Sequence, residues 1–95
     1  MARKTELSDL AREFGLLSNA TRLGILKILA AGPEDVAPLW KTLGSKQAVV
    51  CHHLGILRLG CLVVGTRRES TVEYAIKAAN MKALAAGIAT LIPKK

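Results

Sequence analysis

The sequence predicts a mainly α domain with one small β-hairpin, in the order helix, helix, helix, helix, strand, strand, helix. Three observations predict it. Half of the 95 residues are apolar, but these are chiefly Leu, Ile, Val and Ala, with Phe14, Trp40 and Tyr74 as the aromatic residues. That composition favours packed helices over an aromatic-rich β-sandwich. Apolar residues recur at helical spacing through most of the chain, and the period changes once, in "CLVVGTRRESTVEYAI". Residues 1–95 are read as one domain, since a chain this long buries about two-thirds of its unfolded surface in a single core.

The first helix lies in "ELSDLAREFGLL". Leu7, Leu10, Ala11, Phe14 and Leu17 share a side, and Gly15 marks an end or a bend. In "LSNATRLGILKILAAG", Asn19 is the expected N-cap, Leu23, Leu26, Ile28 and Leu29 supply the apolar face, and Gly32-Pro33 ends the helix. The third helix, "EDVAPLWKTLG", is short. Glu34 or Asp35 can cap it, Pro38 falls in its first turn, and Gly44 closes it.

The fourth helix is expected over residues 46–59, capped by Ser45 and stopped by Gly60. Steps of about 100° turn Val50, His53, Leu54 and Leu57 towards the core. The opposite side shows Ala48, Cys51, His52, Gly55 and Arg58, small and polar with one cation. Residues 62–66 and 71–76 form the strands, with "RRES" as the hairpin tip, and Cys61 is expected to pack at the start of the first strand. The last helix, residues 77–92, carries Met81, Leu84, Ala85, Ile88, Leu91 and Ile92 along one broad side.

Charge is unevenly placed. Residues 1–45 hold six Lys/Arg against five Asp/Glu, and residues 46–95 hold eight against two, within a total of +7. The second half would draw a polyanion, by electrostatics that carry no sequence information. "MARKTELSDLAREF" is charged throughout, unlike a targeting signal, and "ALAAGIATLI" is too short for a membrane span of about 20 residues. A cytoplasmic protein with free thiols and no membrane partner is the expectation.

Three pieces of the chain resemble the winged helix-turn-helix repressors of the arsenic-repressor (ArsR) family. "LSNATRLGILKIL" is similar to the family's Leu-Ser-Asp-Pro-Thr-Arg-Leu-x-Ile-Leu signature. "LWKTLG" with "SKQAVVCHHLGILRLGCLV" resembles its turn and reading helix, and "RRESTVEYAI" its wing. The resemblance implies a homodimeric, sequence-specific regulator of transcription, a repressor, that binds an inverted repeat in double-stranded DNA.

The reading helix would enter the major groove, about 12 Å wide. Gln47 would meet adenine edges or a phosphate, Ala48 with Val49 thymine methyl groups, and His52 and Arg58 bases or phosphates. Arg67 and Arg68 at the hairpin tip, with Thr71, suit phosphates or the adjacent minor groove. Lys46 and Cys51 complete the reading surface; the family usually has Ser or Thr at Lys46, Ala48, Val49 and Cys51. The two end helices would pair across a two-fold axis through Leu7, Leu10, Phe14, Met81, Leu84, Ile88 and Leu91. The alternative is that these residues close a monomer's core.

No metal and no cofactor are expected. The family's usual sensor positions read "GPEDVAPLW", without Cys or His, and residues 77–92, without Cys, His, Asp or Glu. His52 and His53 are adjacent and point about 100° apart, so they cannot chelate one ion together. His53 is expected to pack with a satisfied hydrogen bond. Cys51 and Cys61 lie roughly 12 Å apart along a helix, too far for a disulfide. Cys51 faces the groove, where oxidation would obstruct DNA; an inert thiol in place of a serine is the ordinary reading. No effector is named by the sequence.

Two other readings stay open. A winged-helix protein-interaction module would show an acidic or apolar fourth-helix face, and a nonspecific DNA-binding protein would bind many sequences alike. An enzyme is a distant third reading and is not expected, because two histidines without paired carboxylates or a phosphate loop assemble no triad or acid–base pair.

Overall fold

The computed structural model describes residues 4–94. Helix α1 (Lys4–Leu16) is followed by α2 (Ala20–Leu29), a two-residue strand β1 (Glu34–Asp35), α3 (Val36–Leu43) and α4 (Gln47–Leu59). Strands β2 (Val63–Arg68) and β3 (Thr71–Ile76) form the hairpin, and α5 (Ala78–Ala89) ends the order. The expected arrangement is present, with one addition. β1 joins the hairpin as a third antiparallel strand in the order β1-β3-β2, pairing Glu34 with Tyr74 and Asp35 with Glu73.

Local chemistry explains the helix ends. Asn19 sits in extended backbone and its side chain accepts from the Arg22 N–H, satisfying one of the free donors at the start of α2. Gly44 adopts a left-handed φ of 64° after α3, and the N–H of Ser45 returns to the carbonyl of Trp40. Ser45 thereby belongs to the close of α3. The N-cap of α4 is Lys46, which makes no side-chain capping bond, in place of the expected Ser45. α5 ends at Ala89, so Leu91 and Ile92 lie beyond it and not on its face.

The core is built from Ile25, Leu26 and Leu29 of α2, Leu39 of α3, Val50, Leu54 and Leu57 of α4, Leu62, Val63 and Leu84. On α4 the buried positions recur at four and three residues, the spacing that keeps one face of a helix inward. Leu23 departs from the expected apolar face of α2 and is half exposed. Leu84 departs from its expected place in a dimer seam. It is buried in the chain's own core, because α5 folds back against it, and it offers a partner nothing. Leu10, Phe14 and Met81 also pack against that core, while Leu7, Ile88, Leu91 and Ile92 stay exposed.

The end helices approach each other closely. α1 packs on α5 at Leu10 and Gly87, where an added methyl on the glycine would collide with the leucine. Gly60, just after α4, is covered in the same way by Leu16 of α1. Cys61 follows with a φ of 64° and is exposed, not packed at the strand start. Its place is the left-handed residue of the turn, so its side chain points away from the core that Leu62 and Val63 enter.

Candidate nucleic-acid interface

α3, the turn at Gly44–Lys46 and α4 make a helix-turn-helix unit. Once Val50, Leu54 and Leu57 are buried, Ala48, Cys51, His52 and Arg58 emerge on the other side of α4, and all four are exposed; Gln47, on the flank of the buried stripe, is exposed because it opens the helix. Val49 is exposed beside them. Gln47 opens the helix, and its N-terminal end is the part that carries base contacts in this type of unit. Arg58 stands eleven residues further on, about 16 Å along the axis, and so reaches the backbone of a bound duplex more readily than the same bases. Gly55 lies between these residues, and nothing else in the chain comes near the place its side chain would take.

The hairpin places its two arginines differently from expectation. "RRES" is not a four-residue tip: Arg67 and Arg68 are the last residues of β2, and Glu69-Ser70 alone make the turn, with Glu69 at a φ of 33°. Successive strand residues face opposite ways. Arg67, across from Val72, lies on the side of Tyr74 and borders a cleft of about 290 Å3 with Cys51, Asp35, Val36 and Ala37. Arg68, across from Thr71, lies on the other side and donates to Glu73 Oε1 at 3.1 Å. The structure therefore brings Arg67 to the reading helix and holds Arg68 away from it. Lys46 and Thr71 are exposed, and Thr71 borders the same cleft as Arg67 and Cys51.

His53 does not join the outward face. Its Nδ1 lies 3.1 Å from a guanidinium nitrogen of Arg22. Since arginine only donates, Nδ1 accepts, and the ring is neutral with its proton on Nε2. Burial, then the Arg22 charge, then His52 lower its pKa from the ordinary 6.5. The expected packed and hydrogen-bonded histidine is what the structure contains. Cys51 and Cys61 are both free and exposed. Among the described residues no three His, Cys, Asp or Glu side chains gather as metal ligands would, and no helix is long and apolar enough to cross a membrane.

Leu59, the last residue of α4, was not legible as a surface residue. It is 85% exposed and borders a groove with Arg12, Glu13, Leu16, Ile56 and Gly60. Its distance from the buried stripe, two residues past Leu57, is the signal that places it outward.

Comparison with known proteins agrees with this geometry. The family model for the bacterial regulatory proteins of the arsR family matches residues 19–59, from the cap of α2 to the end of α4. The HTH-type transcriptional regulator NmtR of Mycobacterium tuberculosis is 35% identical over 69 residues, which are 73% of this chain and 58% of NmtR. The chain thus spans just over half the length of that curated relative. Among solved structures, the homodimeric winged helix-turn-helix DNA-binding domain of a possible ArsR-family regulator from Mycobacterium bovis is 30% identical. It superposes with a TM-score of 0.72 over 88% of this chain and 81% of its own. HlyU of Vibrio cholerae, at 25% identity, reaches a TM-score of 0.79 over 94% of this chain and 97% of its own. NmtR is a transcriptional regulator and not an enzyme, and the fold shared with the M. bovis domain is the winged helix-turn-helix. The chain belongs to the arsR family of bacterial regulatory proteins.

Proposed function

We propose that the chain is a homodimeric, sequence-specific DNA-binding regulator that represses transcription by occupying an inverted repeat. The observation that carries this reading is the outward face of α4. It is small, polar and cationic over Gln47, Ala48, Cys51, His52 and Arg58, with Arg67 of the wing beside Cys51. Small residues let a duplex approach, and the amide, imidazole and guanidinium groups donate to base edges and phosphates. An acidic or apolar face, which a protein-binding module would need, is not what α4 carries.

Two features support the dimer. The chain exposes 6730 Å2, against about 5,300 Å2 for a compact monomer of its mass. Its radius of gyration is 14.7 Å, against about 12 Å. Leu7 on α1, Ile88 on α5 and Leu91 and Ile92 after it are exposed apolar residues that an interface with a second copy would cover. A two-fold dimer presents its reading helices about 34 Å apart, one turn of duplex, or a multiple of that. The M. bovis relative is homodimeric, and its pairing is the simplest template for this chain.

Residues 1–95 then act as one DNA-binding domain in the cytoplasm, with repression by steric exclusion of polymerase. Selection of bound sequences from a random DNA pool by the purified protein, at two salt concentrations, tests the reading. Enrichment of one inverted repeat with fixed spacing is the expected result. Salt-sensitive retention without a motif would make it a nonspecific binder, and no retention at low salt would favour a protein-interaction module.

A further inference from the structure

All three guanidinium nitrogens of Arg22 are engaged, and they join three helices. Nε donates to the carbonyl of Leu16 at 2.8 Å and Nη2 to that of Gly15 at 3.3 Å. These are the last carbonyls of α1, at the negative end of its dipole; that of Gly15 also accepts from the N–H and Oγ of Ser18, so the Leu16 bond is the firmer of the two. Nη1 donates to His53 Nδ1 at 3.1 Å, in the middle of α4. The backbone N–H of Arg22 is itself fixed by Asn19.

Leu16, whose carbonyl Arg22 holds, sends its side chain over Gly60 at the far end of α4. The end of α1 is thereby tied to α4 near His53 and at Gly60, seven residues apart, about 10 Å along the axis. Two attachments at that separation fix the angle between the helices, where one would leave a pivot.

The polar attachment depends on a proton. Nδ1 of His53 accepts only while it is unprotonated; a proton there turns the acceptor into a donor facing another donor. The charged groups acting on the ring are Arg22 from α2 and His52 from α4 itself, whose ring lies 5.1 Å away edge-on. Arg22 cannot rescue the bond when the ring is charged, since a guanidinium has no acceptor, and the His52 ring stands edge-on at 5.1 Å between centroids, beyond direct hydrogen-bond distance in this arrangement.

We propose that Arg22 is a positioning residue for DNA reading: through His53 it sets the angle of α4 against the end of α1, and the joint opens when His53 takes up a proton. The inference rests on the DNA-reading function above. α1 carries part of the surface assigned to the second copy, and α4 carries the reading face. The joint between them therefore sets how far apart and at what tilt the two reading helices stand in a dimer. Discrimination between the inverted repeat and other DNA depends on that spacing; attraction to phosphates does not.

The test uses the full chain and the inverted repeat it selects at neutral pH. The quantity read is the ratio of affinities for that repeat and for an unrelated duplex. It is measured at neutral pH and one unit below the His53 midpoint, found from its ring proton resonances. Taking a ratio cancels any general gain in phosphate affinity on acidification. The wild-type ratio should fall about tenfold on acidification. His53→Asn, which puts an amide oxygen in place of Nδ1 and binds no proton, should hold the neutral ratio at both pH values. Arg22→Lys, which keeps the charge and loses the three-way fork, should show the low ratio at both, with melting curves confirming that it is folded. A His53→Asn ratio that follows the wild type with pH, or an Arg22→Lys ratio equal to the wild type at neutral pH, overturns the proposal alone. Recovery of no repeat by the wild type removes the DNA-reading function and the proposal with it.

Discussion

Arg68 Nη2 and Glu73 Oε1 lie 3.1 Å apart across the two strands of the wing. Arg67, one residue earlier and on the opposite side of the strand, makes no ion pair among the described residues, although Asp35 lines the same cleft. Adjacent arginines of equal charge are thus unequal in what they can offer a duplex. Arg67→Ala should weaken binding to all sequences similarly and lower the salt slope by about 1. Arg68→Ala should do less of both, because that guanidinium already shares its charge with Glu73. Glu73→Gln should release Arg68 and strengthen binding at low salt. Affinities over a salt series measure all three, and equal slopes for the two alanine variants would mean that the ion pair opens freely on DNA.

Acid should destabilise the free protein through His53. Its pKa is lowered in the folded chain by burial, Arg22 and His52, so the unfolded chain binds the proton more tightly. The contribution is therefore fully present above 6.5 and is lost as the pH falls from there through the lower folded value. Denaturant midpoints of the wild type should drop over that window more than those of His53→Asn. Parallel curves for the two proteins would show that His53 titrates alike in both states.

The apolar residues of the two ends should separate into two classes. Leu84 is buried at 1% exposure, so Leu84→Ala leaves a cavity and should cost about 3 kcal/mol of stability. Leu91 is 66% exposed, and Leu91→Ala should leave the folded protomer intact while weakening self-association. Urea unfolding and sedimentation, each over a range of protein concentrations, distinguish the two. Concentration-independent sedimentation as a monomer in the wild type would remove the dimer.

What could be read from the sequence was what is local. The cap at Asn19, the left-handed Gly44 and the stripe of Val50, Leu54 and Leu57 each follow from residues within one or two turns. The reading face followed from that stripe, as its complement. Strand β1 was illegible because Glu34 and Asp35 have no strand preference of their own; they are extended because Tyr74 and Glu73 pair with them from the far side of the hairpin. The phase of Arg67 and Arg68 turned on a two-residue turn where four had been expected. Periodicity told that Leu84 faces something apolar, but an amphipathic face is the same whether its own chain or a partner covers it. The Arg22–His53 joint, 31 residues apart, has no local signature at all.

Gly55 should show stability and binding moving in opposite directions. It interrupts α4 in mid-helix, where glycine costs up to about 1 kcal/mol relative to alanine. No atom of the rest of the chain lies within 4 Å of where its Cβ would stand, so Gly55→Ala meets no clash and should raise the unfolding free energy by up to that amount. Yet the new methyl would project from the outward side, between Cys51, His52 and Arg58, where a duplex must come close to the helix. Specific DNA affinity should therefore fall several-fold, about 1 kcal/mol, while the melting temperature rises. Thermal unfolding and operator titration on the same preparation give both signs. A variant that is more stable and binds as well as the wild type would mean that the duplex does not approach this part of α4, and that the N-terminal residues from Lys46 to Cys51 do the reading alone.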